Sequence, residues 1–216
     1  MNNKLLLVLT GILAAAIFLS ADSGWAKYKS RIWNPRPRDG YSASLTSEGV
    51  TIAVEPLFSD ALAAQVFDKN DMITRGIMPL AIIIFNDNDF PVEVDGLSIE
   101  VLNGNNRIKS ISPNDAAYLA LKKDKSFFPQ PVLRFPKGEQ NINALADFEG
   151  KFLGHKIVGP HAKGGGFLYI NTRNSVDIIS LLAKSVVYIP NIYRLDNRSR
   201  MMYFEIDIRM DITNSK

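Results

Sequence analysis

The 216-residue sequence predicts a mainly β protein, an antiparallel β-sandwich with short helical insertions. Three observations lead to this fold class. From Tyr41 onward, short runs of β-branched and aromatic residues recur along the chain. Several of these runs alternate apolar and polar side chains, which is typical of strands with one solvated face. The gaps between neighbouring runs have the length of hairpin loops, whereas parallel strands would need longer crossover connections.

The first half of the β region contains the clearest strands. Residues 42–46 and 50–54 flank a Ser-Glu-Gly turn and predict a hairpin. Residues 80–85 form a continuous apolar run, LAIIIF, which predicts either the centre of a sheet buried on both faces or the best-protected strand of a sandwich. Residues 92–94 and 97–101 alternate strictly, so each predicts a strand with one apolar face.

Three segments predict helices. Ser59 is a favourable N-cap for a helix that extends to about Asp68. A Ser-Pro pair at 112–113 is a typical start for a second helix, which ends near Lys122. Residues 139–153 predict a third helix, whose apolar face carries Ile142, Leu145, Ala146, Phe148 and Phe152.

The second and third helices belong to an insertion at about 112–155, after which the chain returns to β structure. Strands are predicted at 166–170, 186–189 and 201–210.

Three segments also resemble uncharacterised exported bacterial proteins. They read GIMPLAIIIFNDNDFPVEV, GPHAKGGGFLYI, and VVYIP followed by YFEIDI. The resemblance covers about residues 41–212 and implies an immunoglobulin-like β-sandwich, similar to the late-embryogenesis-abundant type-2 domain. In such domains the Gly-Pro loop ahead of the Gly-Phe strand is a structural corner. The resemblance implies a fold and no activity.

The N-terminal 26 residues predict a signal peptide. Lys4 precedes an apolar run at 5–19, and the small residues Gly24 and Ala26 occupy the −3 and −1 positions of a cleavage site. The alternative is a retained N-terminal anchor, because the run is close to the minimum length of a membrane-spanning helix. Both interpretations predict export to the periplasm or the cell envelope. The expected organisation is a signal peptide at 1–26, a basic, Pro-rich arm at 27–40, and a single β-sandwich domain at 41–216.

The amino-acid composition excludes several kinds of site and partner. The chain has no cysteine, which excludes disulfides, a lipid-modified cysteine, Cys-ligated zinc and a cysteine nucleophile. Its formal net charge of +3 is too balanced to indicate a nucleic-acid partner. No cofactor is expected.

The arm at 27–40 is the most distinctive candidate contact segment. Its prolines disfavour a regular helix, and aromatic residues lie among its five basic ones. We expect it to contact a partner protein, an anionic polymer or lipid head groups at a membrane surface. The alternative is a solvated linker. The candidate partner-binding residues are Lys27, Lys29, Arg31, Trp33, Arg36 and Arg38.

Motifs for catalysis or metal binding are sparse. His155 and His161 are six apart in a loop, which does not place both rings on one helix face. The Asn-Asp-Asn-Asp segment at 86–89 is rich in oxygen ligands but lacks the glycine and glutamate of an EF-hand, so a β-turn is expected. The glycines at 164–166 lack the Gly-Lys-Ser/Thr of a phosphate loop and favour a tight corner or bulge. Glu205 and Asp207 share one face of a strand, most simply a solvated one.

The resulting expectation is a non-enzymatic module of the bacterial envelope that binds another envelope protein or an anionic envelope polymer. One alternative is a carrier of a small apolar or lipid-like ligand, held by the aromatic residues of the insertion, namely Phe127, Phe128, Phe135, Phe148 and Phe152. A second alternative is a hydrolase of envelope carbohydrate, which would require two carboxylates that face each other across a cleft.

We expect the mature protein to begin at Lys27, because Gly24 and Ala26 precede that bond as signal peptidase requires. Mass spectrometry of the protein recovered from a secreting bacterial host would then show a chain that lacks residues 1–26. A chain that keeps these residues and sediments with membranes would instead identify the segment as an anchor.

Overall fold

The structure is a computed structural model that describes residues 28–121, 139–173 and 178–208, with the side chains of 139–141 left out. In these ranges eleven strands form three antiparallel sheets, accompanied by four short helices. The mainly β prediction is confirmed, and the arrangement of the sheets fits a β-sandwich. No helix within these ranges is long and apolar enough to span a membrane.

The strands are β1 (Ser44–Ser47), β2 (Val50–Pro56), β3 (Ile77–Asn86), β4 (Val92–Asp95), β5 (Glu100–Asn103), β6 (Asn106–Lys109), β7 (His155–Val158), β8 (Ala162–Asn171), β9 (Ser185–Ile189), β10 (Ile192–Arg194) and β11 (Phe204–Asp207). The helices are α1 (Asp60–Val66), α2 (Pro113–Leu121), α3 (Glu139–Lys151) and α4 (Ile178–Leu182).

The three sheets have the strand orders β1-β2-β3-β8, β10-β4-β7 and β11-β9-β5-β6. The first sheet is the largest, and its longest pairing joins β3 to β8, from Ile77 opposite Asn171 to Asn86 opposite Ala162. One face of the first sheet packs against the other two sheets around a common apolar core. This packing of sheet against sheet fits a β-sandwich.

Strand β3 is buried along its whole length. Leu80 and Ile82 lie in the core between the sheets, whereas Ala81 and Ile83 lie in a second core on the opposite face. Because side chains alternate between the two faces of a strand, a continuous apolar run suits a strand covered on both sides. The expectation of a sheet centre buried on both faces is confirmed.

The second core is covered by helices and by the arm. Small residues of α2 and α3, among them Ala117 and Ala144, pack in it at close range, and Phe148 is fully buried there. The ring of Phe148 lies 5.0 Å from that of Phe67 and 5.2 Å from that of Tyr169, measured between centroids. In the described part of the insertion, Phe148 therefore fills the core of the domain. Three phenylalanines proposed to hold an apolar ligand, Phe127, Phe128 and Phe135, lie outside the described residues.

Local sequence signals located the first hairpin and three of the four described helices. The first hairpin turns at Glu48 and Gly49, whose φ angles of 49° and 74° match the left-handed conformations that a two-residue hairpin turn requires. Helix α1 begins after Ser59, whose hydroxyl accepts a hydrogen bond from the Leu62 amide. Helix α3 ends at Lys151, two residues before the predicted end.

Other boundaries differ from the prediction. The strand expected at 97–101 begins only at Glu100, because Asp95 caps a 3₁₀ turn at Gly96–Ser98. The strand expected at 201–210 is shorter and begins at Phe204. Strands β6, β7 and β10 and helix α4 were not predicted from sequence. Two of these strands, NRIK and HKIV, carry polar residues on both faces, so their sequences lack the usual strand pattern.

The three glycines lie inside β8 rather than at a corner before it. Gly164, Gly165 and Gly166 are consecutive residues of β8 that pair with the middle of β3. A Cβ atom added at Gly166 would lie 2.7 Å from Cα of Leu153, and one at Gly165 would lie 2.4 Å from the carbonyl oxygen of Ile82. These glycines are required by close backbone packing on a strand.

We predict that Gly166→Ala lowers the free energy of unfolding by about 1–3 kcal/mol, because the new methyl group would displace the backbone at Leu153. The matched control is Gly150→Ala in α3, where a Cβ atom meets nothing within 4 Å. Since alanine favours helix over glycine, the control should raise stability by up to about 1 kcal/mol. Urea unfolding measures both, and equal stabilities would contradict the close packing at Gly166.

Candidate functional site

A cleft of about 750 Å³ lies between the arm and the domain. Its walls are residues of the arm, one side of α3, Lys156 of β7 and residues 163–166 of β8. We call it the arm cleft. Because the arm precedes the whole domain in sequence, the cleft exists only when the arm is packed against α3 and β8.

The arm is fixed to α3 through the carboxylate of Asp147, whose side chain is 2% exposed. The Tyr28 hydroxyl donates a hydrogen bond of 2.6 Å to Oδ2 of Asp147. The Ser30 hydroxyl and the Lys151 ammonium both donate to Oδ1. A buried carboxylate is stable only when it is paired and hydrogen-bonded, and these three donors meet that requirement.

The environment keeps Tyr28 neutral. Burial raises the pKa of the Tyr28 hydroxyl, and the hydrogen bond to the Asp147 carboxylate and its charge raise it further. The hydroxyl therefore remains a proton donor to Asp147 across the physiological pH range. Burial, with a smaller contribution from Asp147, also raises the pKa of Tyr169, whose hydroxyl donates to the carbonyl oxygen of Phe148 at 2.7 Å.

Further contacts hold the arm along its length. The Lys29 amide donates to Asp68 at 2.8 Å. The Arg31 guanidinium donates to the carbonyl of Ala64 and lies 3.3 Å from the Asp68 carboxylate. The indole of Trp33 lies 4.5 Å from the ring of Phe167, measured between centroids. The described part of the arm is thus packed on the domain and does not act as a spacer.

The candidate arm residues fall into three groups. Arg31 and Trp33 line the arm cleft. Arg36 and Arg38 form ion pairs elsewhere, with Glu55 at 2.7 Å and with Asp87 at 2.6 Å. The side chain of Lys29 lines no part of the cleft, and Lys27 lies outside the described residues. The structure therefore brings two of the six candidates to one site.

Cationic side chains outnumber acidic ones in the cleft, where Asp147 is the one carboxylate among the described lining residues and Arg31, Lys151, Lys156 and Lys163 are the cations. Arg31 and Lys151 are paired with acids. The Lys163 ammonium donates to the carbonyl oxygen of Pro35 at 2.9 Å. Within the described ranges, neither Lys156 nor Lys163 has an acidic partner. Among the described residues, no ion pair neutralises the charges of these two lysines.

Sequence reasoning missed the residues of α3 and β7 that build this site. The predicted apolar face of α3 included Ile142 and Ala146, yet both are exposed. The buried face carries the predicted Phe148 and, beside it, Asp147, which was not predicted there; Lys151 follows one turn later. An Asp and a Lys four residues apart is a recognisable helix pair, and this spacing was the one available signal.

The two histidines, which were considered as metal ligands, each lie near carboxylates. The imidazole of His155 lies 3.8 Å from Glu93 and 3.6 Å from Asp95, and that of His161 lies 2.8 Å from Asp89. Even so, no cluster of three or more potential ligands in the described ranges is arranged to hold a metal ion.

The two remaining motifs form a bend at the end of a strand and one face of an outer strand. In the 86–89 segment, Asn86 ends β3 and its side-chain oxygen accepts a hydrogen bond of 3.1 Å from the Asn88 amide as the chain bends. On β11, Glu205 is exposed and Asp207 is half-buried, on the face opposite Phe204.

Comparison with known proteins adds no assignment, because no family model, curated protein or solved structure matches this chain.

We predict that Asp147→Ala lowers the free energy of unfolding by about 3–5 kcal/mol, because it leaves the buried Lys151 ammonium without its acid and frees Tyr28 and Ser30. Trypsin should then cleave after Arg31 faster than in the unmodified protein. Glu149→Ala, at an exposed position of the same helix, is the control and should change stability by less than about 0.5 kcal/mol. Equal stability and equal trypsin resistance in the two variants would show that Asp147 does not hold the arm.

Proposed function

We propose that this protein is an exported, non-enzymatic module of the bacterial envelope, and that its arm cleft binds an anionic envelope polymer or the acidic surface of another envelope protein. The observation that carries the proposal is the pair of lysines, Lys156 and Lys163, that lack acidic partners within the described ranges beside a cleft of ligand-binding size. We also propose that the sandwich is immunoglobulin-like, on the sequence resemblance described above.

The chemistry of the lining supports binding rather than catalysis. The carboxylate of Asp147 already accepts three hydrogen bonds, so it is poorly placed to exchange protons with a substrate. The ammonium of Lys151 is held by the same carboxylate and lies 5.1 Å from the ring centroid of Phe67. The lining residues within the described ranges include no histidine that could act as a base.

The proposal of export rests on the signal-like segment at 1–26. Because the arm is packed on the domain, cleavage and retention of this segment have different consequences for the position of the domain. Ala26 is two residues before Tyr28, which is buried on the domain. If the segment is cleaved, the mature chain begins beside the cleft. If it is retained, the arm provides no stalk, and the domain would be held close to the membrane surface. Anionic lipid head groups would then be a further source of charge near the cleft.

Deleting the arm is not a useful test, because Tyr28 and Trp33 contribute to the second core. The sharper test neutralises Lys156 and Lys163, separately and together, by substitution with glutamine. Each single variant should bind isolated cell walls about two- to fivefold less tightly than the unmodified chain, the range for one exposed ion pair.

The control is Lys184→Gln, because Lys184 is an exposed lysine outside the cleft. Cosedimentation with purified cell walls at low and high salt measures binding. The contact should weaken as the salt concentration rises, because exposed charges are screened. If both cleft variants bind like the control variant, the cleft is not the contact site and the proposal fails.

A further inference from the structure

We infer that the ligand of the arm cleft is an anionic carbohydrate, so that the cleft binds acidic or phosphorylated sugar units of a polymer. This inference rests on the proposed function, since it names the ligand class for the same site. Three properties of the lining support it.

The first property is that the described lining residues offer no surface for acyl chains. None of the described lining residues is leucine, isoleucine, valine, methionine or phenylalanine. The apolar lining consists of Trp33, the ring of Tyr28, Pro35 and Ala146, which are flat or small. A lipid tail needs a continuous aliphatic wall to leave water, and the described lining residues do not form one.

The second property is that the aromatic ring of Trp33 lies beside glycines, which have no side chains. Trp33 is half-buried, with its ring against β8, and a Cβ atom added at Gly165 would lie 3.2 Å from Cη2 of Trp33. The part of the indole that is not covered by β8 lines the cleft. An indole offers a rigid apolar face, on which the C–H face of a sugar ring can pack. The neighbouring glycines carry no side chains that would obstruct a broad, flat ligand.

The third property is the combination of hydrogen-bonding and cationic groups. Ser30 and Asn143 lie in the lining. The Ser30 oxygen, whose proton is donated to Asp147, can accept a hydrogen bond from a sugar hydroxyl, and the Asn143 side-chain amide can both donate and accept. The ammonium groups of Lys156 and Lys163 can pair with a carboxylate or a phosphate on the same ligand. Single exposed ion pairs are weak, so useful affinity requires a repeating polymer that presents many such units.

The experiment measures how tightly each of four soluble probes binds the full chain carrying Trp25→Phe. This substitution leaves Trp33 as the single tryptophan. Dextran phosphate and polygalacturonate are the phosphorylated and carboxylated carbohydrates. Unmodified dextran has the same backbone as dextran phosphate without its charge, and polyglutamate has the charge without the sugar. Phosphatidylglycerol vesicles test lipid head groups. Binding is measured by calorimetry and by the emission of Trp33.

We expect dextran phosphate, polygalacturonate or both to bind and to shift the Trp33 emission, whereas dextran and polyglutamate do not. The double variant Lys156→Gln/Lys163→Gln should weaken binding by about tenfold, which corresponds to about 1.4 kcal/mol. Lys184→Gln should leave it unchanged. Trp33→Leu should weaken carbohydrate binding, provided that circular dichroism shows the variant to be folded. If the variant does not fold, the shift in Trp33 emission in the chain that keeps Trp33 still reports whether the ligand contacts the indole.

Two results would overturn the inference in different ways. If polyglutamate or the vesicles bind as tightly as the carbohydrates and depend equally on Lys156 and Lys163, the cleft recognises charge alone; the carbohydrate inference then fails and the proposed function stands. If no probe binds and the lysine variants also bind cell walls like the unmodified chain, both fail.

Discussion

A sheet whose central strand is apolar on both faces must be covered on both faces, and most of this structure follows from that constraint. Strand β3 is fully buried, and its side chains alternate between two separate cores. The other sheets cover one face, as in any sandwich. The second face is covered by three helices and by the arm, which contributes Tyr28 and Trp33 to the same core. The segment that follows the predicted signal is therefore part of the fold.

The position of the arm on that face is fixed mainly by the carboxylate of Asp147. The arm has no regular secondary structure between Tyr28 and Pro37, so strand or helix hydrogen bonds cannot position it. A buried carboxylate is costly unless several donors satisfy it, and Asp147 finds two of its three donors on the arm. This need for donors restricts where the arm can lie. The shape of the arm cleft is a consequence, because one of its walls is the arm held in that position.

The parts of the fold that sequence reasoning predicted are those specified by neighbouring residues. The run at 80–85, the Glu48-Gly49 turn and the Ser59 cap each contain their own signal within a few positions. The edge strands β6 and β7 were missed because their pairing partners, and not their own patterns, make them strands.

The site was harder to predict because its charges are paired over long distances in sequence. Arg31, Arg36 and Arg38 look like a free basic cluster, yet their acidic partners are Asp68, Glu55 and Asp87. Lys156 and Lys163, which have no acidic partner in the described residues, lie in segments for which no strand was predicted, and nothing in the neighbouring sequence distinguishes them from other lysines. A sequence shows how many charges a segment carries but not which of them the fold neutralises.

The two lysines are also the part of the cleft that the fold explains least. Glycines at 164–166 are required by the close approach of Leu153 and β3, and Asp147, Tyr28 and Trp33 are required to hold the arm. Lys163 adds one hydrogen bond to the Pro35 carbonyl, and Lys156 adds no ion pair within the described residues. Within the described residues, no ion pair of the fold requires a positive charge at position 156 or 163. A positive charge that no described ion pair requires, at two positions in the lining of one cleft, supports the ligand binding that we propose for it.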